Sequence, residues 1–283
     1  MTVLMWIIRI LLVAAIIVVI AVSAGRMLFD RQVRNEVQTL FQGIPTESNM
    51  ITEEDLVGLP EPVQRWLQRS QVVGKEKATA LRLKQKGLFR MGEDKPWIPF
   101  TAQQYYNIES PGFIWYTTMK MAPSLSVRGR DLYYDGRGNM LIKVLSLIKV
   151  ADASGLEMDQ GTLVRFLNEM MWFPSAAIND YVTWEQVSEN SAKAMMEYKG
   201  VSASAIFHFN DDGDLINFVA ERYMDSPDGF RLETWATPID EHREMDGRRI
   251  PTKGEAIWEL DTGDFSYIQL EVTEIEYNNP TLY

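Results

Sequence analysis

The sequence contains no cysteine and only two histidines, His208 and His242, among 283 residues. Disulfide scaffolds, cysteine-ligated zinc, iron–sulfur centres and cysteine nucleophiles are thereby excluded. Two histidines also make His-rich metal sites and Ser-His-Asp arrangements poor expectations. Basic residues are scarce: 28 Lys and Arg stand against 39 Asp and Glu, a formal net charge of −11. Phosphate backbones repel such a chain, so no nucleic-acid partner is expected. At about 150 residues per domain, the length suits one large or two small domains with a real core.

Charge is nearly absent from one long run. Between Val3 and Ala24 the only charged residue is Arg9, and Ile10 to Val22 is unbroken apolar sequence. At about 1.5 Å per residue this run spans roughly 33 Å, enough to cross a bilayer core. Two readings stand. Residues 3–24 are a retained anchor in the bilayer, or Arg9 closes a basic leader and Val22-Ser23-Ala24 is a cleavage site. A soluble core helix fits poorly, because no polar face meets water. Arg26, Arg31 and Arg34 on the C-terminal flank favour a cytoplasmic main domain, whereas the absence of cysteine fits either side. A single-pass membrane location is expected. Without residues 1–24 the chain loses one arginine and no acid, leaving a body of −12 that should not cling to anionic headgroups.

Beyond the apolar run, Val33, Val37 and Leu40/Phe41 recur at helical spacing, predicting an amphipathic continuation to about Leu40. Gly43, Pro45 and Ser48-Asn49 break it, and Thr52 caps the acidic turn Glu53-Glu54-Asp55. A second helix from about Pro62 sets Val63, Trp66 and Leu67 on one stripe. Residues 25–77 thus read as a helical stalk and a docking helix.

From about Ala78 the period becomes two. Leu81 and Leu83 alternate with Arg82, Lys84 and Lys86; Trp97–Asn107 and Phe113–Met121 follow as strands. Turn signals recur at Gly92–Lys95, Glu109–Gly112, Asp135-Gly136 with Gly138-Asn139, Ser188–Asn190, Asp211–Gly213, Pro227–Gly229, Asp246-Gly247 and Thr262-Gly263. That punctuation predicts an antiparallel meander over 78–278. One helix interrupts it: Asp159 can cap residues 160–171, whose Leu163, Phe166, Leu167, Met170 and Met171 need a large apolar partner face. No linker follows residue 78, so one β domain is expected.

Candidate sites are sparse. Both histidines read as solvated strand residues. Asn210, Asp212 and Asp214 alternate like calcium ligands, but Leu215 stands where the calcium loop needs glycine, so no metal or cofactor is expected. Arg222 shares a face with Ile216, Phe218 and Ala220, which points it inward and in need of a carboxylate partner or a way to water. In an apolar concavity it would receive an anionic headgroup. The strongest signal is the aromatic and methionine load. Trp97, Phe100, Trp115, Met119, Met121, Met170, Trp172, Phe173, Trp235 and Trp258 come from several strands and the internal helix, with Phe113, Trp115, Met119 and Met121 on one face. Most such residues in any protein are core; the alternative is a face left partly unfilled for a greasy ligand.

Trp97–Gln103, Met158–Gly161 leading into Met171–Ala176, and Gly247–Trp258 occur in that order and resemble a family of prokaryotic membrane-anchored proteins known as a domain of unknown function. The likeness covers residues 55 to 278 and implies no activity. The final third, with Asp246-Gly247, Ile250-Pro251 and Glu271–Asn278, is similar to the end of LolA/LolB-type lipoprotein-carrier domains. That likeness implies an antiparallel half-barrel with helices on its concave face and a cavity for acyl chains. The chain departs from that class in having no lipobox cysteine, so it is no acylated lipoprotein of the usual kind.

The expected fold is therefore α+β, mainly antiparallel β: a half-barrel or strongly curved meander with helices on the concave face, after an N-terminal transmembrane helix. The leading functional reading is non-enzymatic binding of a lipid or acylated molecule near a membrane, with helix 160–171 as plug or lid. A solid structural or protein-interaction module is the second reading, and a hydrolase using two inward carboxylates the third.

Overall fold

The structure, a computed structural model, describes residues 2–45, 48–122, 125–226 and 229–283. It begins with one helix, α1 (Thr2–Leu40), of 39 residues, about 58 Å at 1.5 Å per residue. Its apolar half, Val3 to Ile20, is exposed, and the helix is long and apolar enough to cross a membrane. The amphipathic continuation forms as the periodicity requires. Phe29, Val33, Val37 and Leu40 are buried as one stripe. After a 3₁₀ turn (Glu53–Leu56), closed by Asp55 Oδ2 accepting from Thr52 N at 2.7 Å, comes α2 (Glu61–Arg69).

Six strands follow: β1 (Ala80–Phe89), β2 (Ile98–Asn107), β3 (Gly112–Ala122), β4 (Leu125–Tyr134), β5 (Arg137–Val144) and β6 (Ile148–Ser154). Helix α3 (Leu156–Glu169) then runs into 3₁₀ turns at Met170–Trp172 and Pro174–Ile178. The second set is β7 (Val182–Ser188), β8 (Ser191–Tyr198), β9 (Val201–Phe209), β10 (Leu215–Ser226), β11 (Gly229–Ala236), β12 (Ile239–Met245), β13 (Arg248–Leu260) and β14 (Gly263–Tyr277). One antiparallel sheet joins them in the order β6-β5-β4-β3-β2-β1-β14-β13-β11-β10-β9-β8-β7, with β12 paired to the first half of β13. The two meanders meet through β1 and β14, where Leu81 lies opposite Tyr277 and Phe89 opposite Ile268.

The sheet curls around α3, which packs on β4, β5 and β6 near one end of that order and on β9 and β10 near the other. The ends also meet directly: the Tyr133 and Tyr198 rings are 6.4 Å apart, and Lys199 Nζ lies 3.0 Å from Asp135 Oδ1. The alternating strands predict the antiparallel meander, and its curl is the expected half-barrel. α2 occupies the concave side as well, its Trp66 ring 5.7 Å from Phe207 and 6.3 Å from Trp184. Burying a tryptophan of about 200 Å² is worth on the order of 5 kcal/mol, an upper figure. The stalk does not join these helices. α1 lies on the opposite face, where Phe29 to Leu40 cover Tyr105, Ile114 and Leu141. Period two forces this division, since Tyr106, Phe113 and Tyr133 point inward where Tyr105, Ile114 and Leu132 point out. Buried Arg128 and Arg130 fix the stalk through Asp30 (2.5 Å) and Glu36 (3.1 Å).

Several local signals resolve differently from expectation. α3 starts at Leu156 instead of Gln160, and Asp159 is not its cap: buried within the helix, it accepts Gly138 N at 2.7 Å and Arg137 Nη1 at 2.8 Å. Met170 and Met171 fall in the following 3₁₀ turn. Asp135-Gly136 makes the β4–β5 turn, while Gly138-Asn139 belongs to β5. Pro227-Asp228 lie outside the described residues.

Candidate functional site

A cavity of about 480 Å³ lies between α3 and the middle of the sheet. It exists because α3 rests on strands toward both ends of the curl, which leaves a gap above β1, β3, β13 and β14. Helical periodicity assigns the two sides of α3. Leu163, Phe166 and Leu167 pack into the core, and Phe166 sits 5.3 Å from Phe173 and 6.4 Å from Tyr106. Met158, Gly161, Thr162, Arg165 and Glu169, on the other stripe, face the cavity. Of the apolar stripe that suggests a greasy lid, Leu163, Phe166, Leu167 and Met170 are thus consumed in packing and Met171 reaches the cavity, while α3 itself presents mainly its more polar side.

The opposing wall is aromatic. Trp115, Trp172, Trp235 and Trp258 line it with Phe265 and Tyr267. Three indole N–H groups are satisfied away from any ligand: Trp115 donates to Gln85 Oε1 (2.8 Å), Trp172 to Pro251 O (3.1 Å) and Trp235 to the Tyr267 hydroxyl (3.1 Å).

Two arginines enter the cavity with opposite fates. Arg165 donates to Asp131 Oδ2 and Glu169 Oε1, both at 2.7 Å, and lies 5.1 Å from the Trp115 ring. Glu169 Oε2 accepts from Gln104 Nε2 and Tyr106 Oη, both at 2.8 Å. Burial pushes the Glu169 carboxyl up against the pull of these donors, and burial likewise pushes the Tyr106 phenol up. The group is a connected buried network in which both carboxylates are engaged, with Gln104 Oε1 left unpartnered among the described residues. Arg222, in contrast, donates Nε to Gly161 O at 3.0 Å and stands over Trp235 and Trp258. Among the described residues it has no carboxylate within ion-pair distance. The inward position holds; the carboxylate partner is replaced by two indole faces and a carbonyl. Ile216 does not share its face, because a bulge between Leu215 and Asn217 turns that side chain out.

Of the residues singled out in the sequence, the cavity brings together Trp115, Trp172, Arg222, Trp235 and Trp258. Phe100 stands behind Trp115 at 5.8 Å, and Met170 and Phe173 are buried in the core. Trp97 is half-buried beneath the Arg90 guanidinium at 4.7 Å, and Met119 packs at the edge of the core. Met121 is exposed where the β3–β4 register shifts between Lys120 and Ala122, so it leaves the face shared by Phe113 and Trp115. Gln85 and the Arg165 network were missed. Gln85 did carry a signal, falling on the inward face of Leu81 and Leu83, and Arg165 and Glu169 stand four apart on one helix face.

The polar constellations fold into structural roles. Asn210 Oδ1 accepts Asp214 N at 2.9 Å and closes the hairpin, while Asp214 binds Arg69 and Arg249. His208 and His242 are half-buried instead of fully solvated, and burial lowers both imidazoles.

A single antiparallel half-barrel with α2 and α3 on its concave side, and a cavity of small-ligand size between α3 and the sheet, defines the structural class. The chain belongs to the family described as "Family of unknown function (DUF6544)", whose model matches residues 49–270. Among curated proteins none matches the sequence. Among solved structures it is similar to a LolA superfamily protein from Nitrosomonas europaea, at 8% identity over 76% of this chain and 93% of that one, TM-score 0.42. It is also similar to a domain described as an outer-membrane lipoprotein-sorting protein from Vibrio parahaemolyticus, at 7% identity over 72% and 87%, TM-score 0.38. A porin-like protein from Bacteroides uniformis matches at 10% identity over 70% and 98%, TM-score 0.28.

Proposed function

We propose that this protein is a membrane-tethered, non-enzymatic binder of an apolar ligand, a lipid or acylated molecule, held between α3 and the sheet. The exposed apolar half of α1 is the tether. The observation that carries the reading is the cavity itself: about 480 Å³, lined by four tryptophans and by Arg222, which pairs with no carboxylate among the described residues. That volume falls among ordinary small-ligand pockets. Indole faces suit a hydrocarbon chain, and the Arg222 guanidinium suits an anionic end group. Asp131 and Glu169, two of the five acidic residues that line the cavity, are both engaged by Arg165, which favours binding over hydrolysis at that pair.

Native mass spectrometry of the full chain released from lipid nanodiscs tests this. A lipid mass is expected to stay on the wild-type chain and to be lost from Gly161→Phe, whose ring would occupy the gap. A wild-type chain that is always empty would sink the reading. It would leave the protein as a solid structural module, for which the dense packing of Tyr106, Phe166 and Phe173 speaks.

A further inference from the structure

The two ends of the sheet differ in chemistry. At one end, beside Leu40, lie the turns Glu109-Ser110-Pro111, Asp135-Gly136, Asp211–Gly213 and Asp246-Gly247, all polar. The paired strand ends Phe89/Ile98, Ala122/Leu125, Val144/Ile148 and Ser226/Gly229 lie at the other. Around these strand ends large apolar side chains face water: Met91 (66% exposed), Met121, Leu147, Ile148 (61%), Phe230 and Leu232. They sit on four separate hairpins and share only that end of the molecule.

α1 leaves the domain at the same end. It slants across the sheet from Leu40, whose carbonyl accepts Asn107 Nδ2, past Asp30 beside Arg128, to Gly25 against Leu147 of the β5–β6 turn. N-terminal to Gly25, the exposed apolar residues Val3 to Ile20 carry the helix on away from Leu40. The cavity opens there too: Met91 and Phe230, both exposed, are among its lining residues, with Met224 beside them.

We propose that these hairpin tips rest in the surface of the bilayer that α1 enters, so that the mouth of the cavity faces lipid and an acyl chain passes between them without crossing water. The occupant of this surface is a lipid membrane. The apolar tips stand next to charges of both signs, Lys95 and Asp94, Lys149 and Asp152, so insertion is driven by apolar burial and needs no anionic headgroup. One tip, Asp261–Asp264, is acidic and stays in the headgroup–water layer. The proposal rests on the reading of α1 as a membrane anchor.

The chain has no cysteine, so single cysteines can be placed and labelled without background. Full-length protein carrying Met91→Cys, Ile148→Cys or Phe230→Cys is labelled with an environment-sensitive fluorophore and reconstituted in dioleoylphosphatidylcholine vesicles with or without nitroxide-labelled lipid. Glu109→Cys and Asp212→Cys report the polar end, and Val13→Cys reports the anchor. The expected result is blue-shifted, nitroxide-quenched emission from the three tips and from position 13, with neither at positions 109 and 212. Quenching at position 13 with water-like emission at the tips overturns the docking and leaves the anchor standing. Water-like emission at position 13 and the tips alike overturns both.

Discussion

The Arg222 guanidinium lies 4.7 Å from the centre of the Trp235 ring, inside the cavity and without a carboxylate partner among the described residues. A cation over an aromatic face keeps its charge and most of its donors. It is therefore the group through which an anionic ligand would be held. Replacing it, Arg222→Met, is expected to weaken a long-chain carboxylate by about 10- to 100-fold, the loss of one charge-assisted contact of about 1.5–3 kcal/mol. The matching alcohol should be nearly unaffected. Displacement of a fluorescent fatty acid measures both; an equal loss for the two ligands refutes the role.

Four of the eight tryptophans line the cavity, namely Trp115, Trp172, Trp235 and Trp258. A fatty acid brominated along its chain is expected to quench roughly that share of the emission, and a single Trp235→Phe change should reduce the quenching. Titration at fixed protein concentration reads both. Quenching unaltered by that change would place the ligand elsewhere.

Two glycines of the α3 region should behave oppositely. A Cβ on Gly138 would fall 2.5 Å from Met158 O, so Gly138→Ala forces α3 off β5 and is expected to cost about 1–3 kcal/mol. A Cβ on Gly161 meets nothing nearer than Arg222 Nε at 3.7 Å, so Gly161→Ala should raise stability by about 0.5–1 kcal/mol through helix propensity. Thermal unfolding of the two variants distinguishes a packed contact from an open one.

The pH dependence of stability should carry the signature of Asp214. Burial opposes its ionisation, but hydrogen bonds from Arg249 and Arg69 outweigh it and hold the carboxyl below its ordinary 3.8. A depressed folded-state pKa contributes stability that is complete above the unfolded value and lost as pH falls below it. Asp214→Asn is accordingly expected to cost about 2 kcal/mol near neutrality. The gap from wild type should narrow below about pH 4. Denaturant titrations at several pH values check this, and a constant gap would contradict it.

How much of this was legible depended on range. The stripes of Val63, Trp66 and Leu67 in α2 and of Phe29 to Leu40 in α1 follow from local periodicity, as do the Asp-Gly turns at 135, 211–213 and 246. Trp115 and Arg222 were recognisable by type and face, and Trp172, Trp235 and Trp258 by type alone. Which side of α3 meets the cavity was not, because two stripes on one helix are distinguished only by the curl of the sheet, and that depends on β1 finding β14. The Arg165 network was hidden for the same reason: Asp131 reaches it from β4, 34 residues away. Bulges at Ile216 and Met121 broke the period-two rule at single residues, and no local pattern announces such a slip.

α1 has no proline between Thr2 and Leu40, and it is gripped by Arg128 and Arg130 over its last turns. It behaves as a mast rather than a leash. Any tilt or axial rotation imposed on its apolar half by bilayer thickness would be transmitted to the whole half-barrel as a rigid lever. With that half anchored as proposed, the domain would have a fixed height and heading above the membrane and, unlike one on a flexible linker, would not search a wide volume for a ligand.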